Sequence, residues 1–158
     1  MLRLGLVTGT AGNVSARDGE LILITASALP YEEMTVDDLV TLGPDGAVVA
    51  GEREPSSEWR VHAAVYAARP DARALVHTHS EQATTWSESG DRLGRWLTAP
   101  YFPSGSDEIA AAAVAALGDR DAVLLGGHGV LAVGETPARA LEVCVAVEEE
   151  ARRASGIA

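Results

Sequence analysis

Short apolar segments separated by turn residues dominate the chain and predict a sheet of several strands. Leu, Ile, Val and Ala fill these segments, and Gly, Pro, Asp or Asn bound them. Segments of this length and composition are typical of strands. The predicted strands are residues 21–25, 39–42, 47–50, 74–79, 122–125 and 130–133. The turn Gly43-Pro-Asp-Gly46 makes the second and third of these a hairpin.

Three longer segments begin with a residue that can cap a helix. They are a segment capped at Ser56 or Ser57 that reaches about residue 69, one capped at Ser106 that reaches residue 117, and one opened by Thr136-Pro137 that reaches about residue 154. Strands outnumber helices, and most neighbouring strands are joined by short turns. This order predicts an α/β or α+β sandwich, with a largely antiparallel sheet covered by helices. The length favours one domain, residues 1–158.

The first predicted helix carries an apolar stripe. Trp59, His62, Ala63 and Tyr66 follow the spacing i, i+3, i+4 and i+7. A histidine on such a stripe is more often a core residue than a metal ligand. We therefore expect a structural role for His62.

Charge and composition exclude several classes of function. The formal net charge is −11, so binding to a nucleic-acid backbone or to an anionic membrane is not expected. All twelve basic residues are arginine, which excludes an enzyme that forms a Schiff base through a lysine side chain. One cysteine, Cys144, allows no disulfide within the chain and is expected to be buried. The apolar stretches are too short to span a bilayer, and a cytoplasmic location is expected.

Three of the four histidines stand where a metal ligand could stand. In a strand, His77 and His79 point to the same side, about 7 Å apart at Cα. The third, His128, lies in the turn Gly126-Gly-His-Gly129, where small neighbours let the backbone come close. Buried, hydrogen-bonded histidines are the alternative, but the His-x-His spacing favours a metal enzyme.

A glutamate and three small turns add possible chemistry. Glu58 follows two serines, so it is either a first-turn residue that favours the helix dipole or a general base near the metal. The turns at residues 10–13, 25–28 and 56–57 are rich in small and hydroxyl residues. Each alone is an ordinary turn or cap. Together they could offer backbone N–H groups and hydroxyls to a phosphate.

The order of these motifs resembles the class II aldolase/adducin family over nearly the whole chain. The matching segments are Gly9-Thr-Ala-Gly-Asn-Val-Ser15, Leu-Ile-Thr25-Ala-Ser27, Pro55-Ser-Ser-Glu-Trp-Arg60, Val-His77-Thr-His79 and Leu125-Gly-Gly-His-Gly129. The resemblance implies a three-layer α/β sandwich with a mixed, mainly antiparallel central sheet flanked by helices, assembled as a homotetramer.

The resemblance also implies the residues of the site. It implies one zinc ion per subunit held by His77, His79 and His128, although other divalent metals suit these ligands, and Glu58 as the catalytic acid and base. The phosphate pocket would comprise Gly12, Asn13, Ser27, Ala28, Ser56 and Ser57. Ala28 stands where glycine is usual, and a positive φ there would be strained.

The implied activity is zinc-dependent cleavage of a ketose 1-phosphate, similar to fuculose phosphate. The products would be dihydroxyacetone phosphate and an aldehyde, formed through a metal-stabilised enediolate. A related zinc-dependent epimerase, dehydratase or decarboxylase acting on a phosphorylated sugar is the alternative among enzymes. A non-catalytic scaffold, as in the adducin branch, is the alternative of another class.

Overall fold

The computed structural model describes residues 1–157. Ala158, the last residue of the expected domain, lies outside the described residues. The strands are Asn13–Asp18 (β1), Leu21–Ile24 (β2), Val40–Leu42 (β3), Val48–Ala50 (β4), Ala74–Thr78 (β5), Thr98–Ala99 (β6), Ala122–Leu125 (β7) and Gly129–Gly134 (β8). The α-helices are Trp59–Ala68 (α1), Glu81–Ser87 (α2), Asp107–Leu117 (α3) and Pro137–Ala154 (α4), and single turns of 3-10 helix span Leu2–Leu4 and Val36–Asp38.

The strands form one mixed sheet in the order β4-β3-β2-β1-β5-β8-β7-β6. Every neighbouring pair is antiparallel except β6 and β7, which are parallel. The predicted mixed, mainly antiparallel sheet is therefore confirmed. The pairing of β1 with β5 sets Asn13 opposite His77, and this register brings two predicted site residues together.

Helices cover both faces of the sheet, because the central strands are apolar on both sides. Leu75 of β5 and Leu131 of β8 belong to the core beneath α1 and α3. Val76 and Ala132, the next residues along the same strands, belong to the core beneath α4. Strand side chains alternate between faces, so each central strand contributes side chains to both cores. The result is the predicted three-layer arrangement.

The predicted helix caps are partly correct. Ser106 accepts a hydrogen bond from the Ile109 N–H at 3.2 Å, and Thr136 accepts one from the Arg139 N–H at 3.2 Å. The prediction that Ser56 or Ser57 caps α1 is wrong. Glu58 occupies the N-cap position, and its side chain makes no capping bond because it turns to the histidines.

Two strands and one α-helix were not predicted. They are β1, whose sequence Asn-Val-Ser-Ala-Arg-Asp is largely polar, the seven-residue helix α2, and the two-residue strand β6. Several predicted strand ends move by one residue. The shift that bears on the site is in β5, which ends at Thr78, so that His79 lies just beyond the strand.

Two further predictions can be compared with the fold. Cys144 is fully buried on α4, and its Sγ lies 3.6 Å from the Val76 carbonyl oxygen. On α1, His62 and Tyr66 of the predicted stripe are buried, whereas Trp59 and Ala63 are half-buried. Within residues 1–157, none of the helices combines the length and apolar character needed to cross a membrane.

Candidate active site

Glu58, His77, His79 and His128 converge on one point. One carboxylate oxygen and three imidazole nitrogens lie within 4.8 Å of one another. The Nε2 atoms of His77 and His79 are 2.8 Å apart. Glu58 Oε2 lies 3.0 Å from His77 Nε2, and Glu58 Oε1 lies 3.0 Å from His128 Nε2. All four residues were singled out from the sequence, and the structure brings them together.

Each of the four side chains comes from the end of an element. His77 lies near the end of β5, and His79 follows the strand. His128 lies in the turn between β7 and β8, and Glu58 occupies the N-cap position of α1. Because β8 is the direct neighbour of β5, the turn that carries His128 lies beside the end of β5.

The segment after His79 is held by a residue of α4. Glu148 is buried, and its carboxylate accepts hydrogen bonds from the N–H groups of Gln82 at 3.0 Å and Ala83 at 2.9 Å. These N–H groups belong to the first turn of α2, which has no partners for them within the helix. Ser80 at the N-cap makes no side-chain bond there. Glu148 therefore caps α2 and holds its start next to His79.

The hydrogen bond of His77 determines which of its nitrogens faces the cluster. Its Nδ1–H donates to the Val130 carbonyl oxygen at 2.9 Å. A neutral imidazole then carries no hydrogen on Nε2, whose lone pair points into the cluster. Burial also lowers the pKa of His79 to about 4, with further contributions from His77 and His128, so this ring is neutral at neutral pH.

The electrostatics of the cluster favour a cation. Burial alone would raise the pKa of Glu58, but His77 and His128 outweigh it and lower the pKa far below its usual range. Burial would lower the pKa of His77, but the Glu58 carboxylate outweighs it and raises the pKa. Three imidazole nitrogens and a carboxylate in a buried cluster fit a divalent transition metal such as zinc. We find that the donor set suits this group of ions.

Two neutral side chains complete the surroundings of Glu58. Asn13 Nδ2 donates to Oε2 at 2.8 Å, and Ser104 Oγ donates to Oε1 at 2.7 Å. Ser104 was not among the site residues predicted from the sequence. The next residue, Gly105, has φ +74° and approaches Ser57 so closely that a Cβ would lie 2.7 Å from the Ser57 carbonyl oxygen. The Pro103-Ser-Gly105 turn was the only available signal for this loop.

A cavity of about 230 Å³ lies beside the cluster. Its lining includes all six residues predicted for a phosphate pocket: Gly12, Asn13, Ser27, Ala28, Ser56 and Ser57. Glu58 and His79 also line it, so the cavity is continuous with the histidine cluster. No arginine contributes to the lining among the described residues.

Backbone hydrogen bonds bring the three predicted turns together around this cavity. Ser27 N–H donates to the Glu54 carbonyl oxygen at 2.9 Å, and Ser56 N–H donates to the Thr25 carbonyl oxygen at 3.0 Å. The turn before β1 reaches the same place because β1 begins at Asn13. Segments 10–13, 25–28 and 56–57 therefore meet although they are far apart in sequence.

Ala28 has a φ of +53° and is the one non-glycine residue with positive φ among residues 1–157. Alanine is strained in this left-handed region because its Cβ approaches the following carbonyl oxygen. The sequence raised this possibility for a position where glycine is usual. One wall of the cavity is therefore strained.

Comparisons with known proteins agree with this architecture. The family model of the class II aldolase and adducin N-terminal domain matches residues 1–154. The chain is 38% identical over 166 residues to the 5-methylthioribulose-1-phosphate/5-deoxyribulose-1-phosphate aldolase of Rhodospirillum rubrum, covering 95% of this chain and 73% of that protein. It is also 38% identical over 160 residues to the L-fuculose phosphate aldolase of Escherichia coli K12, covering 94% and 74% of the two chains.

A solved structure of L-fuculose 1-phosphate aldolase superimposes with a TM-score of 0.94 at 33% sequence identity. The match covers 98% of this chain and 79% of the other. The predicted fold and the predicted resemblance are thus confirmed together. Relatives in this family are named aldolases, which are lyases. The chain is therefore a lyase that belongs to the class II aldolase and adducin family.

Proposed function

We propose that this protein is a zinc-dependent aldolase that cleaves a ketose 1-phosphate of the fuculose-phosphate kind to dihydroxyacetone phosphate and an aldehyde. The observation that carries the proposal is the convergence of Glu58 with three histidines beside a cavity lined by hydrogen-bond donors. Relatives named as aldolases of fuculose phosphate and deoxyribulose phosphate support the substrate class.

In this proposal His77, His79 and His128 hold the zinc ion through Nε2. When bound, the ion supplies Lewis-acid stabilisation of negative charge that develops on substrate oxygens. The chain contains no lysine, so it has no side-chain amine that could perform the same task covalently. Val130 supports the arrangement because its carbonyl oxygen fixes the tautomer of His77.

The phosphate of the substrate binds through Gly12, Asn13, Ser27, Ala28, Ser56 and Ser57. The serine hydroxyls and the backbone N–H groups that are not already bonded to carbonyl oxygens supply the hydrogen bonds, since the N–H groups of Ser27 and Ser56 are used between the turns. The N-terminus of α1 supplies a favourable dipole behind Ser56 and Ser57. Local dipoles suffice for an acidic protein, since they act on the anion at short range.

Glu58 takes and returns a proton on the dihydroxyacetone phosphate carbon. Its carboxylate lines the cavity and contacts His77 and His128, so it can reach a C–H bond of a substrate whose phosphate fills the cavity. Hydrogen bonds from Asn13 and Ser104 hold the carboxylate in one orientation. A positioned carboxylate contributes roughly 10²–10⁴-fold to a proton transfer.

Hydrogen exchange tests the proposal. Zinc-loaded protein should exchange one C–H hydrogen of dihydroxyacetone phosphate with deuterium, as followed by proton NMR, and should bind phosphoglycolate in calorimetry. Glu58→Gln should reduce the exchange at least 100-fold and keep phosphoglycolate binding. Glu54→Gln, at an exposed glutamate nearby, is the matched control. Absence of exchange in zinc-loaded wild-type protein would remove the aldolase proposal.

Product analysis separates the outcomes among enzymes. Incubation with a panel of ketose 1-phosphates should yield dihydroxyacetone phosphate and an aldehyde. An inverted sugar, loss of water or release of carbon dioxide would instead identify an epimerase, a dehydratase or a decarboxylase. A protein without bound metal and without turnover would be an adducin-like scaffold.

The metal and the assembly are further parts of the proposal. Elemental analysis should find about one zinc per chain, and His79→Ala should lose most of it because one of three nitrogen ligands is removed. Sedimentation should give the mass of a homotetramer. The cytoplasmic location and the extent of the domain over residues 1–158 remain predictions.

A further inference from the structure

A chain of four buried hydrogen bonds leads away from Glu58 along the side of α1 that faces β1. Asn13 Nδ2 contacts Glu58 Oε2 at 2.8 Å, and Asn13 Oδ1 contacts His62 Nε2 at 2.5 Å. His62 Nδ1 contacts Ser15 Oγ at 2.6 Å, and Ser15 Oγ contacts the Tyr66 hydroxyl at 2.9 Å. None of these five residues is exposed by more than 6%. This series of hydrogen bonds extends beyond the groups assigned to the proposed reaction.

Two elements interleave to form this chain. Asn13 and Ser15 are two residues apart on β1, so they point to the same face of the sheet. His62 and Tyr66 are four residues apart on α1, so they lie on one side of the helix. Packing α1 on β1 therefore alternates strand and helix side chains along one line.

The half of the chain next to Glu58 has only one consistent arrangement of protons. An ionised carboxylate only accepts hydrogen bonds, so the nearer end of Asn13 must be its NH₂ group. The other end of the carboxamide is then its oxygen, which also only accepts. His62 must therefore carry a hydrogen on Nε2 and donate it to Asn13.

The positions of the protons in the other half of the hydrogen-bond series follow from the neutral state of His62. Burial lowers the pKa of His62 to about 3, so Nδ1 has no hydrogen at neutral pH and accepts one from Ser15. The single hydrogen of the Ser15 hydroxyl is then used, and Tyr66 must donate to Ser15 Oγ. Burial raises the pKa of Tyr66 to about 12, which keeps its hydroxyl protonated. All four donors consequently point toward Glu58.

We propose that His62, Ser15 and Tyr66 are positioning residues that hold the Asn13 carboxamide with its NH₂ group toward Glu58. The inference rests on the proposed role of Glu58 as the base. Because a carboxamide can rotate by 180° with little change of shape, Asn13 alone does not determine which end faces the carboxylate. The Nε2–H of His62 removes that ambiguity, since it can only face an oxygen.

Loss of the His62 donor should act on the proton transfer rather than on the metal. Without this donor the Asn13 oxygen loses its partner and the carboxamide is held at one end only, so one of the two neutral donors that orient Glu58 is held less firmly. We expect kcat to fall about 10- to 100-fold in His62→Leu, with a smaller change in KM and unchanged zinc content. His62→Gln should recover most of the activity, because its terminal NH₂ can occupy the place of Nε2–H.

Neutron diffraction of the zinc-loaded protein tests the proton arrangement without relying on activity. We expect density for hydrogen on His62 Nε2 and on the Tyr66 hydroxyl toward Ser15, and none on His62 Nδ1. A hydrogen on Nδ1 would overturn the proposal. This outcome is independent of the proposed function, which fails separately if wild-type protein shows no hydrogen exchange.

Variant kinetics complete the test. Tyr66→Phe removes the last hydroxyl of the chain with little change of volume, and it should lower kcat by severalfold and leave KM nearly unchanged. Val65→Ala, at a fully buried position on the same helix, is the control for lost stability alone. Equal kcat in His62→Leu and Val65→Ala at a temperature where both are folded would overturn the proposal.

Discussion

Gly129 packs so tightly against Thr78 that a Cβ on the glycine would lie 2.1 Å from the Thr78 carbonyl oxygen. Its φ of +155° is itself a conformation that favours glycine. Thr78 ends β5 and separates the two histidines of the His-x-His motif, and Gly129 follows His128. This contact therefore sets the distance between the third histidine and the other two.

Gly129→Ala should separate β5 from β8 at the metal site. We expect the free energy of unfolding to fall by about 3 kcal/mol, from overpacking and backbone strain together, and zinc affinity to fall at least tenfold. Denaturant unfolding and calorimetric zinc titration measure the two effects. Gly90→Ala is the control, because Gly90 also has a positive φ but no atom within 4 Å of an added Cβ. Comparable losses of zinc affinity in both variants would contradict this account.

Stability below neutral pH should depend on His62. Its pKa is lowered to about 3 by burial, from an ordinary value of 6.5, so the unfolded chain binds a proton that the folded protein does not. The free energy of unfolding then falls as the pH drops below about 6.5, and this loss continues toward pH 3. For metal-free protein, the contribution of His62 between pH 7.5 and pH 5 is about 2 kcal/mol.

His62→Gln provides the comparison for that pH dependence. The variant keeps the other titrating groups, so its unfolding free energy should fall by about 2 kcal/mol less than that of wild type over the same pH interval. Urea titrations at pH 7.5 and pH 5 give both differences. Parallel curves for the two proteins would show that His62 is not held neutral.

Replacement of Ala28 by glycine should relieve strain in the proposed phosphate pocket. The left-handed conformation costs an alanine about 1–2 kcal/mol, and the greater freedom of glycine in the unfolded chain cancels about 0.4–1 kcal/mol of the gain. Ala28→Gly should therefore stabilise the protein by about 0.5–1 kcal/mol. Ala26→Gly, at a neighbouring residue whose φ is not positive, should instead destabilise it. Thermal unfolding distinguishes the two signs.

Glu148 should support the metal site from a distance through α2. In Glu148→Ala, the N–H groups of Gln82 and Ala83 lose their acceptor, which should cost about 1–2 kcal/mol of stability. Zinc affinity should fall severalfold, since the start of α2 is no longer held beside His79. Glu149→Ala changes the same charge at an exposed position and should do neither. An unchanged zinc affinity in Glu148→Ala would limit this residue to capping.

Much of the sheet was predictable because its central strands are apolar on both faces. The strand β5 reads as a continuous apolar run, and its alternation placed His77 and His79 on one side. The strand β1 was missed for the opposite reason. The side chains on one face of this strand, Asn13 and Ser15, are polar because they make hydrogen bonds, so the apolar pattern that marks a strand is absent.

The residues of the candidate site were likewise predictable only where a local pattern marks them. Residue type and spacing indicated the three histidines, whereas the family resemblance was needed to give Glu58 a catalytic role. The contacts of Ser104 with Glu58 and of His62 with Asn13 were not predicted. They join residues that are 46 and 49 positions apart, and no local pattern records such a pairing.

The lining of the cavity has a chemical consequence for the proposed keto-sugar substrate. Carbonyl compounds condense with free amines, and lysine side chains are the usual targets inside proteins. The cavity contributes hydroxyls, backbone N–H groups, a carboxamide, the Glu58 carboxylate and the His79 imidazole, none of which forms an imine. A keto sugar or an aldehyde bound there meets no primary amine side chain. The residues that line the cavity are therefore protected against glycation by a bound sugar.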